Sequence, residues 1–476
     1  MCIRDRSTGK AESIQVSQST ADEIEKSGYG RWLRLRDDSV DVAGKGTMRT
    51  YWLATHRESR KQDCLAAETA PLHRFKLERV DSEIDTRYSE EDVLSETDRL
   101  IEWNVEVLSE LLKQVVASHP RQRHKLPKVE TTDLEHEGTV LEQCKEIISL
   151  PRHVTMRDFK SRQDPDSVEL DRKVVQQLRA LVSSFADMYE DNPFHNFEHA
   201  SHVTASVCKS LHRIVSVEET DAKTIEDLAG HSYGITSDPL TQFAVVFSAV
   251  IHDLKHPGVP NATLVKEGVP MAKKYKEKSV AEQNSVDLAW GLLMQPEYKD
   301  LRACIYTTKE ELRRFRQLVV NVVMATDICD KELNALRKHR WDLAFTGNEG
   351  KDDSMDRKAT IVIEHLIQAS DVAHTMQHWC FYRKWNERLF DEMFLSYKFG
   401  RIHTNPAEFW YEGELGFFDH YIIPLTKKLA SCGVFGVSSQ EYLNYAQSNR
   451  DEWARRGEAV LKEYTKKYEH PDSRTL

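Results

Sequence analysis

The chain has no long hydrophobic run: its strongest apolar stretch, Phe243 to Ile251, is far too short to cross a bilayer. A membrane span or other membrane contact within these residues is therefore not expected. The eight cysteines (Cys2, Cys64, Cys144, Cys208, Cys304, Cys329, Cys380 and Cys432) are scattered and include no CxxC pair. That spread excludes a dense disulfide framework and suits a reducing, cytoplasmic setting. Excess positive charge is lacking too. A formal net charge of −11 argues against a nucleic-acid polymer as partner, because phosphate backbones are bound through clustered Lys and Arg. No secretory apolar region follows Met1, the C-terminal Ser-Arg-Thr-Leu holds no prenylation cysteine, and neither a fixed-period repeat nor a low-complexity tract occurs.

What is present is a globular composition, 40% hydrophobic and 30% charged over 476 residues, long enough for two units. Met1-Cys2-Ile3-Arg4-Asp5-Arg6 reads as a translated sequencing adapter, so residues 1–6 are set aside and the natural protein is expected to begin upstream. Residues 7–54 mix a helix-like stretch, Thr20 to Ser27, with β-rich runs such as Ile14-Gln15-Val16 and Thr50-Tyr51-Trp52-Leu53. Residues 55–134 read as a charged linker holding one amphipathic helix, in which Leu100, Trp103, Val107, Leu108, Leu111, Leu112 and Val115 recur at helical spacing. That helix either pairs two chains as a homodimer or packs on its own domain. From 135 to 468 helical periodicity dominates: Val174 to Tyr189, His199 to Val215, Leu240 to Ile251, Ser279 to Met294, Lys309 to Ala325, Lys358 to Glu392 and Tyr442 to Lys467. An all-α domain follows, with a polar tail at 469–476.

Three clusters carry chemistry. Phe194-His195-Asn196-Phe197-Glu198-His199-Ala200-Ser201-His202 follows the turn Asp191-Asn192-Pro193. If Pro193 leads into a helix, His195 and His199 share a face, so one ring can bind metal while the other handles a proton. The second cluster, His252-Asp253-Leu254-Lys255-His256-Pro257-Gly258, ends the apolar run. Desolvating a His-Asp pair there is costly unless a divalent metal compensates, and imidazole with carboxylate suits zinc and harder ions together. The third is Asp371, which interrupts the apolar helical face of His365 to His374. Taken singly, the first cluster could be a surface histidine patch and Asp371 a capped helix-interior residue. In chain order the three form the HD-type arrangement of a helical two-metal phosphohydrolase.

Two resemblances sharpen this reading. Ser7-Thr8-Gly9-Lys10, Ile14-Gln15-Val16-Ser17 and Gly44-Lys45-Gly46-Thr47-Met48-Arg49-Thr50-Tyr51-Trp52-Leu53 resemble the closing segment of a class III nucleotide cyclase, above all the guanylate cyclases. This implies a cyclase–phosphodiesterase fusion fragment, with Lys45 the sole cyclase catalytic residue left and no cyclase activity. Its upstream part would carry the cyclase aspartates and could carry a membrane anchor. The plainer alternative is a chance hairpin with a Gly-Lys-Gly turn. From about Leu141 to Lys467 the chain resembles the catalytic domain of class I cyclic-nucleotide phosphodiesterases. The motifs are His195-Asn196-x-x-His199-Ala200, Ile251-His252-Asp253-x-x-His256-Pro257-Gly258-x-x-Asn261, Ala325-Thr326-Asp327, Ser370-Asp371, and Gly416-Phe417 with Asp419. The implied fold is mainly all-α, a compact multi-helix HD-type phosphodiesterase domain behind a short α+β cyclase remnant.

The phosphodiesterase resemblance also implies roles. His199, His252, Asp253 and Asp371 would hold one divalent ion, zinc, and Asp253 would bridge to a second, magnesium or manganese. His195 would be the general acid, with His256, Glu282 and Asp327 supporting the catalytic centre. Two cations would lower the pKa of a bridging water for in-line attack on the cyclic phosphate. Protonation of the leaving O3′ by His195 would contribute about 10²–10⁴-fold, and the product would be the 5′-monophosphate.

Departures from the family pattern bear on the substrate. Phe417 keeps the ring that clamps the base, but Glu414 stands where the family has a base-reading glutamine. A carboxylate only accepts, and guanine presents two N–H donors on that edge whereas adenine adds a repelling lone pair. Cyclic GMP is thus expected over cyclic AMP, unless Glu414 is protonated or another residue reads the base. Trp385, Leu389, Met393 and His374 are expected to line the base pocket. Phe194 replaces a tyrosine, His202 and Lys255 replace acidic residues, and Asn284-Ser285 replaces a histidine pair. Two other functions fit the same motifs: an HD-type hydrolase of another phosphoester, and a non-catalytic cyclic-nucleotide-binding regulatory module. The intact His195, His199, His252, Asp253 and Asp371 speak against the second.

Overall fold

The computed structural model describes residues 14–17, 21, 33–35, 40–42, 46–48, 50–53, 95–119, 139–151, 163–214, 232–346, 351–435 and 439–468. Residues 1–6, the Thr20–Ser27 helix apart from Ala21, Lys45, the charged stretch before the amphipathic helix and the tail from 469 lie outside the described residues.

The chain divides into two units, Met1–Arg87 and Tyr88–Leu476. In the first, β1 (Ile14–Ser17), β2 (Leu33–Leu35), β3 (Val40–Val42), β4 (Gly46–Met48) and β5 (Thr50–Leu53) are short strands. The β-branched and aromatic β5 is central, with β1 and β2 antiparallel on its two edges and both Gln15 and Arg34 opposite Trp52. β3 and β4 form a separate antiparallel pair with Val42 opposite Gly46.

The second unit is helical. Its helices of eight residues or more are α1 (Glu96–Ser118), α2 (Arg172–Met188), α3 (Phe197–Arg213), α4 (Pro239–Ile251), α5 (Val280–Leu293), α6 (Lys309–Ala325), α7 (Lys331–Thr346), α8 (Lys351–Asp371), α9 (Trp379–Lys398), α10 (Trp410–Phe417), α11 (Ile423–Ser431) and α12 (Ser439–Lys466). Local chemistry sets several of their starts. Ser95 with Asp98 and Thr308 with Glu311 form reciprocal capping boxes on α1 and α6, and Asn196 caps α3 by accepting from the His199 amide. Helix α4 is apolar all round and almost wholly buried, which makes it the central pillar, packed against α1, α3 and α6. Phe243 and Phe247 on α4 meet Phe315 of α6, and Phe247 meets Phe185 of α2.

Three expectations need correction. The amphipathic helix is not part of a linker reaching residue 134: α1 belongs to the helical unit, with Leu108 and Leu112 fully buried and Asn104 donating to Ser201 Oγ at 2.9 Å. Its apolar face packs on α2 and α4 of its own unit. The run Lys358 to Glu392 is not one helix, since α8 stops at Asp371, a 3₁₀ turn spans Ala373–Met376, and α9 starts at Trp379. Asn449 of α12 stabilises that break by donating to the carbonyls of Thr375 and Gln377 at 2.9 and 2.7 Å. Helix α7 was not anticipated because its charged sequence lacks a strong apolar stripe. It is held instead by buried arginines, Arg340 donating to Glu364 at 2.5 Å and to the Cys144 and Glu146 carbonyls at 3.1 Å. Among the described residues no helix is long and apolar enough to cross a membrane.

Candidate active site

The three clusters meet because each lies at the end of a helix. His195 precedes α3, and His199 lies in its first turn. His252 caps the C-terminus of α4, Asp253 follows it, and Asp371 closes α8. His252 Nδ1 is spent on the Ala249 carbonyl at 2.9 Å, which turns Nε2 toward Asp253 Oδ2 at 3.0 Å and Asp371 Oδ1 at 3.5 Å. His199 Nε2 lies 3.1 Å from Asp371 Oδ1 and 3.8 Å from Asp253 Oδ2. His199, His252 and Asp371 thus offer three ligand atoms within 4.8 Å of one another. Burial alone would raise the two carboxyls, but the facing imidazoles outweigh it and hold Asp253 and Asp371 well below the ordinary range. Both histidines are almost wholly buried, and His252 Nε2 makes no hydrogen bond. Two imidazoles and one carboxylate coming together, with the Asp253 carboxylate against both rings, fit a divalent cation.

His195 stands beside this cluster on a different partner. Its Nδ1 meets Glu392 Oε1 at 2.5 Å, while Glu392 Oε2 accepts from the amides of Phe194 and His195 at 3.0 and 2.9 Å. Burial opposes the charged imidazole, but the Glu392 carboxylate prevails and raises His195 to about 9. Against it lies His256, ring centroids 3.8 Å apart, pushed down to about 4 by burial and then by the His195 charge. In this tilted pair the Glu392 carboxylate favours the protonated form of His195, and the His195 charge favours the neutral form of His256. Asn192 Nδ2 ties the two segments together, donating to the carbonyls of His195 and His256. Gly258, at φ +66°, lets the chain turn there, and a Cβ on it would come within 2.9 Å of Asn192 Oδ1.

Glu282 lies within the field of both Asp327 and Asp253. Burial and the Asp327 charge push Glu282 up to about 8, and Asn261 Nδ2 donates to it at 2.9 Å. Asp327 Oδ1 accepts from the amides of Cys329 and Asp330, turning the chain after α6. Of the expected pocket residues, Trp385 and His374 reach the histidines: Trp385 packs within 5.7 Å of Phe194, 5.6 Å of His199 and 5.2 Å of His202, and His374 within 5.6 Å of Phe194. Leu389 and Met393 are partly buried against the core. Glu414, on α10, is buried and accepts from Tyr382 Oη at 2.7 Å. Burial raises it to about 7 despite that bond. Phe417 stacks on Tyr421, centroids 5.3 Å apart. Sequence reasoning missed Glu392, Tyr382 and Asn192. Asn192 stands in the Asp-Asn-Pro turn already singled out, whereas nothing local marks the other two.

The family described as 3′5′-cyclic nucleotide phosphodiesterase matches residues 194–434. The dual specificity calcium/calmodulin-dependent 3′,5′-cyclic nucleotide phosphodiesterase 1C of Mus musculus is 26% identical over 277 residues, covering 53% of this chain and 35% of that protein. The 3′,5′-cyclic-nucleotide phosphodiesterase regA of Dictyostelium discoideum is 24% identical over 290 residues, covering 59% of this chain and 33% of that protein. The chain thus spans about a third of the length of these curated relatives. Among solved structures, the phosphodiesterase domain of Salpingoeca rosetta rhodopsin phosphodiesterase is similar at 20% identity and TM-score 0.48, covering 63% of this chain and 84% of that one. Because the family match runs from the residue before His195 to beyond α11 and takes in just over half of the chain, the chain belongs to the 3′,5′-cyclic nucleotide phosphodiesterase family.

Proposed function

We propose that the helical unit hydrolyses 3′,5′-cyclic nucleotides, cyclic GMP ahead of cyclic AMP, to the 5′-monophosphate. The observation that carries this is the meeting of His199, His252 and Asp371, with Asp253 against His252, beside a His195 held by Glu392. These four residues would hold zinc, and Asp253 would also face a second ion, magnesium or manganese. When bound, such cations supply Lewis-acid charge and a water of lowered pKa. His195, its Nδ1 held by Glu392, keeps Nε2 for proton donation to the leaving O3′. His256 stays neutral and keeps the proton on its neighbour. Glu282 and Asp327 would support the catalytic centre, the Asp327 charge favouring the acid form of Glu282. Trp385, His374, Leu389 and Met393 would line the base pocket, and Phe417 would clamp the ring. With Tyr382 donating to one Glu414 oxygen, the other, when the carboxyl is ionised, would be an acceptor for the guanine edge.

For residues 7–54, we infer the closing segment of a guanylate cyclase. The antiparallel pairing of β3 with β4, Val42 opposite Gly46, is what supports this reading.

The test is hydrolysis of cyclic GMP and cyclic AMP by the full chain with Mg²⁺, then after chelation. Chelator-sensitive turnover favouring cyclic GMP is expected. Equal turnover of both nucleotides would remove the Glu414 argument. Binding without turnover would turn the chain into a regulatory module, and turnover of another phosphoester alone would overturn the cyclic-nucleotide reading.

A further inference from the structure

Helix α9 runs past the first turn of α3 in a ladder of three contacts. Trp385, Arg388 and Glu392 follow one another at spacings of three and four, so they share one face of α9. Each meets α3 or the residues leading into it, in descending order along the chain. The Trp385 ring lies 5.6 Å from that of His199, Arg388 Nη1 donates to Glu198 Oε2 at 2.6 Å, and Glu392 accepts from the amides of His195 and Phe194. The outer two rungs belong to the site already described. The middle one, Arg388 with Glu198, was singled out by no motif.

This rung differs from an ordinary surface ion pair in what else the arginine touches. Its guanidinium carbon lies over the Trp385 ring, 4.8 Å from the centroid, so one cation engages Trp385 and Glu198 together. The Arg388 and Glu198 side chains keep 26% and 32% of their surface exposed, and ion pairs that open to solvent add little to stability. Trp385 itself is buried, and its ring also meets Phe194 and His202 at 5.7 and 5.2 Å. A guanidinium anchored on α3 therefore fixes the tilt of a ring that packs on His199, one of the candidate metal ligands. We propose, resting on the function proposed above, that Arg388 is a positioning residue: tied to Glu198, it holds Trp385 in the orientation that the bound cyclic nucleotide requires.

The test is Arg388→Met in the full chain, which keeps an unbranched apolar stem and removes the cation, compared with Arg388→Lys, Glu198→Gln and the double variant Arg388→Met with Glu198→Gln. For each, kcat and KM for cyclic GMP and cyclic AMP are measured beside the thermal midpoint. Arg388→Met should raise KM by about three- to tenfold, as expected for loss of one partly exposed cation–π contact. Its kcat and midpoint should stay close to wild type, because the outer rungs still join the two helices. Arg388→Lys keeps a cation for the ring and should recover part of that KM, and the double variant should be no worse than Arg388→Met alone, since both changes act through one contact. An unchanged KM, a fall in midpoint that accounts for the lost activity, no recovery with lysine, or additive effects in the double variant would each overturn the proposal. A wild-type chain that hydrolyses neither nucleotide would overturn the parent reading and this one with it. Normal wild-type turnover with an unaffected Arg388→Met would overturn this one alone.

Discussion

The proton between His195 and Glu392 is where the site's pH dependence originates. Because the folded pKa of His195 is raised to about 9, its protonated form persists through neutral pH and is lost as pH rises through about 9. The stability contributed by the pair is fully present below the ordinary histidine value of about 6.5 and fades over the same rise. Replacing Glu392 with Gln should lower kcat about tenfold or more and move the alkaline limb of the pH–rate profile down toward that ordinary value, a shift that a merely structural role would not produce. Glu414 follows the same sign, a carboxyl raised to about 7. Its acid form favours the folded state, so that contribution is present below about 4.5 and lost as pH rises through about 7. The proposed preference for cyclic GMP should accordingly strengthen above that pH, and Glu414→Gln should reduce the kcat/KM ratio of the two nucleotides by about tenfold and remove its pH dependence. His195, His199, His252 and Asp253 were legible because short motif spacing puts them at helix ends. Glu392 was not, since one carboxylate in the charged run Asn386 to Glu392 looks like any solvated face until the fold carries it to residue 195.

At the scale of elements, the break between α8 and α9 decides whether Asp371 and His374 face the site. The stretch Lys358 to Glu392 contains neither Gly nor Pro, so periodicity alone reads it as continuous. The stop comes from Asn449, far along the chain, which satisfies two carbonyls of the turn. Asn449→Ala should cost about 1–3 kcal/mol in urea unfolding and lower activity beyond the loss of folded protein. A second contact between elements is closer still. A Cβ on Gly457 of α12 would fall 2.8 Å from Trp453 Cε2 and 2.9 Å from Tyr411 Cδ2. Trp453 is fully buried and donates to the Tyr411 carbonyl at 3.1 Å, so it cannot simply swing away. Gly457→Ala should therefore destabilise by about 1–3 kcal/mol despite its better helix propensity, read as a fall in the urea midpoint.

For the whole molecule, the boundary of the helical unit is the finding that changes experimental design. A fragment of residues 88–476 retains α1 and should fold cooperatively. One starting at 135 strips Leu108, Leu112 and Val115 from the core and should be insoluble or molten, a contrast that circular dichroism and size-exclusion chromatography can read. The all-α class was legible because helical periodicity runs nearly unbroken from Val174, whereas the membership of α1 was not, because an amphipathic stripe does not say what it faces. The central position of α4 has a further consequence. Its amides lie inside a helix packed on three sides by other helices, and hydrogen–deuterium exchange there should proceed only through global unfolding. His252 and Asp253 hang from the end of this slowest-exchanging segment. The scaffold beneath them should then outlast repeated stripping and reloading of ions, with recovery set by side-chain rearrangement at the rim and not by refolding.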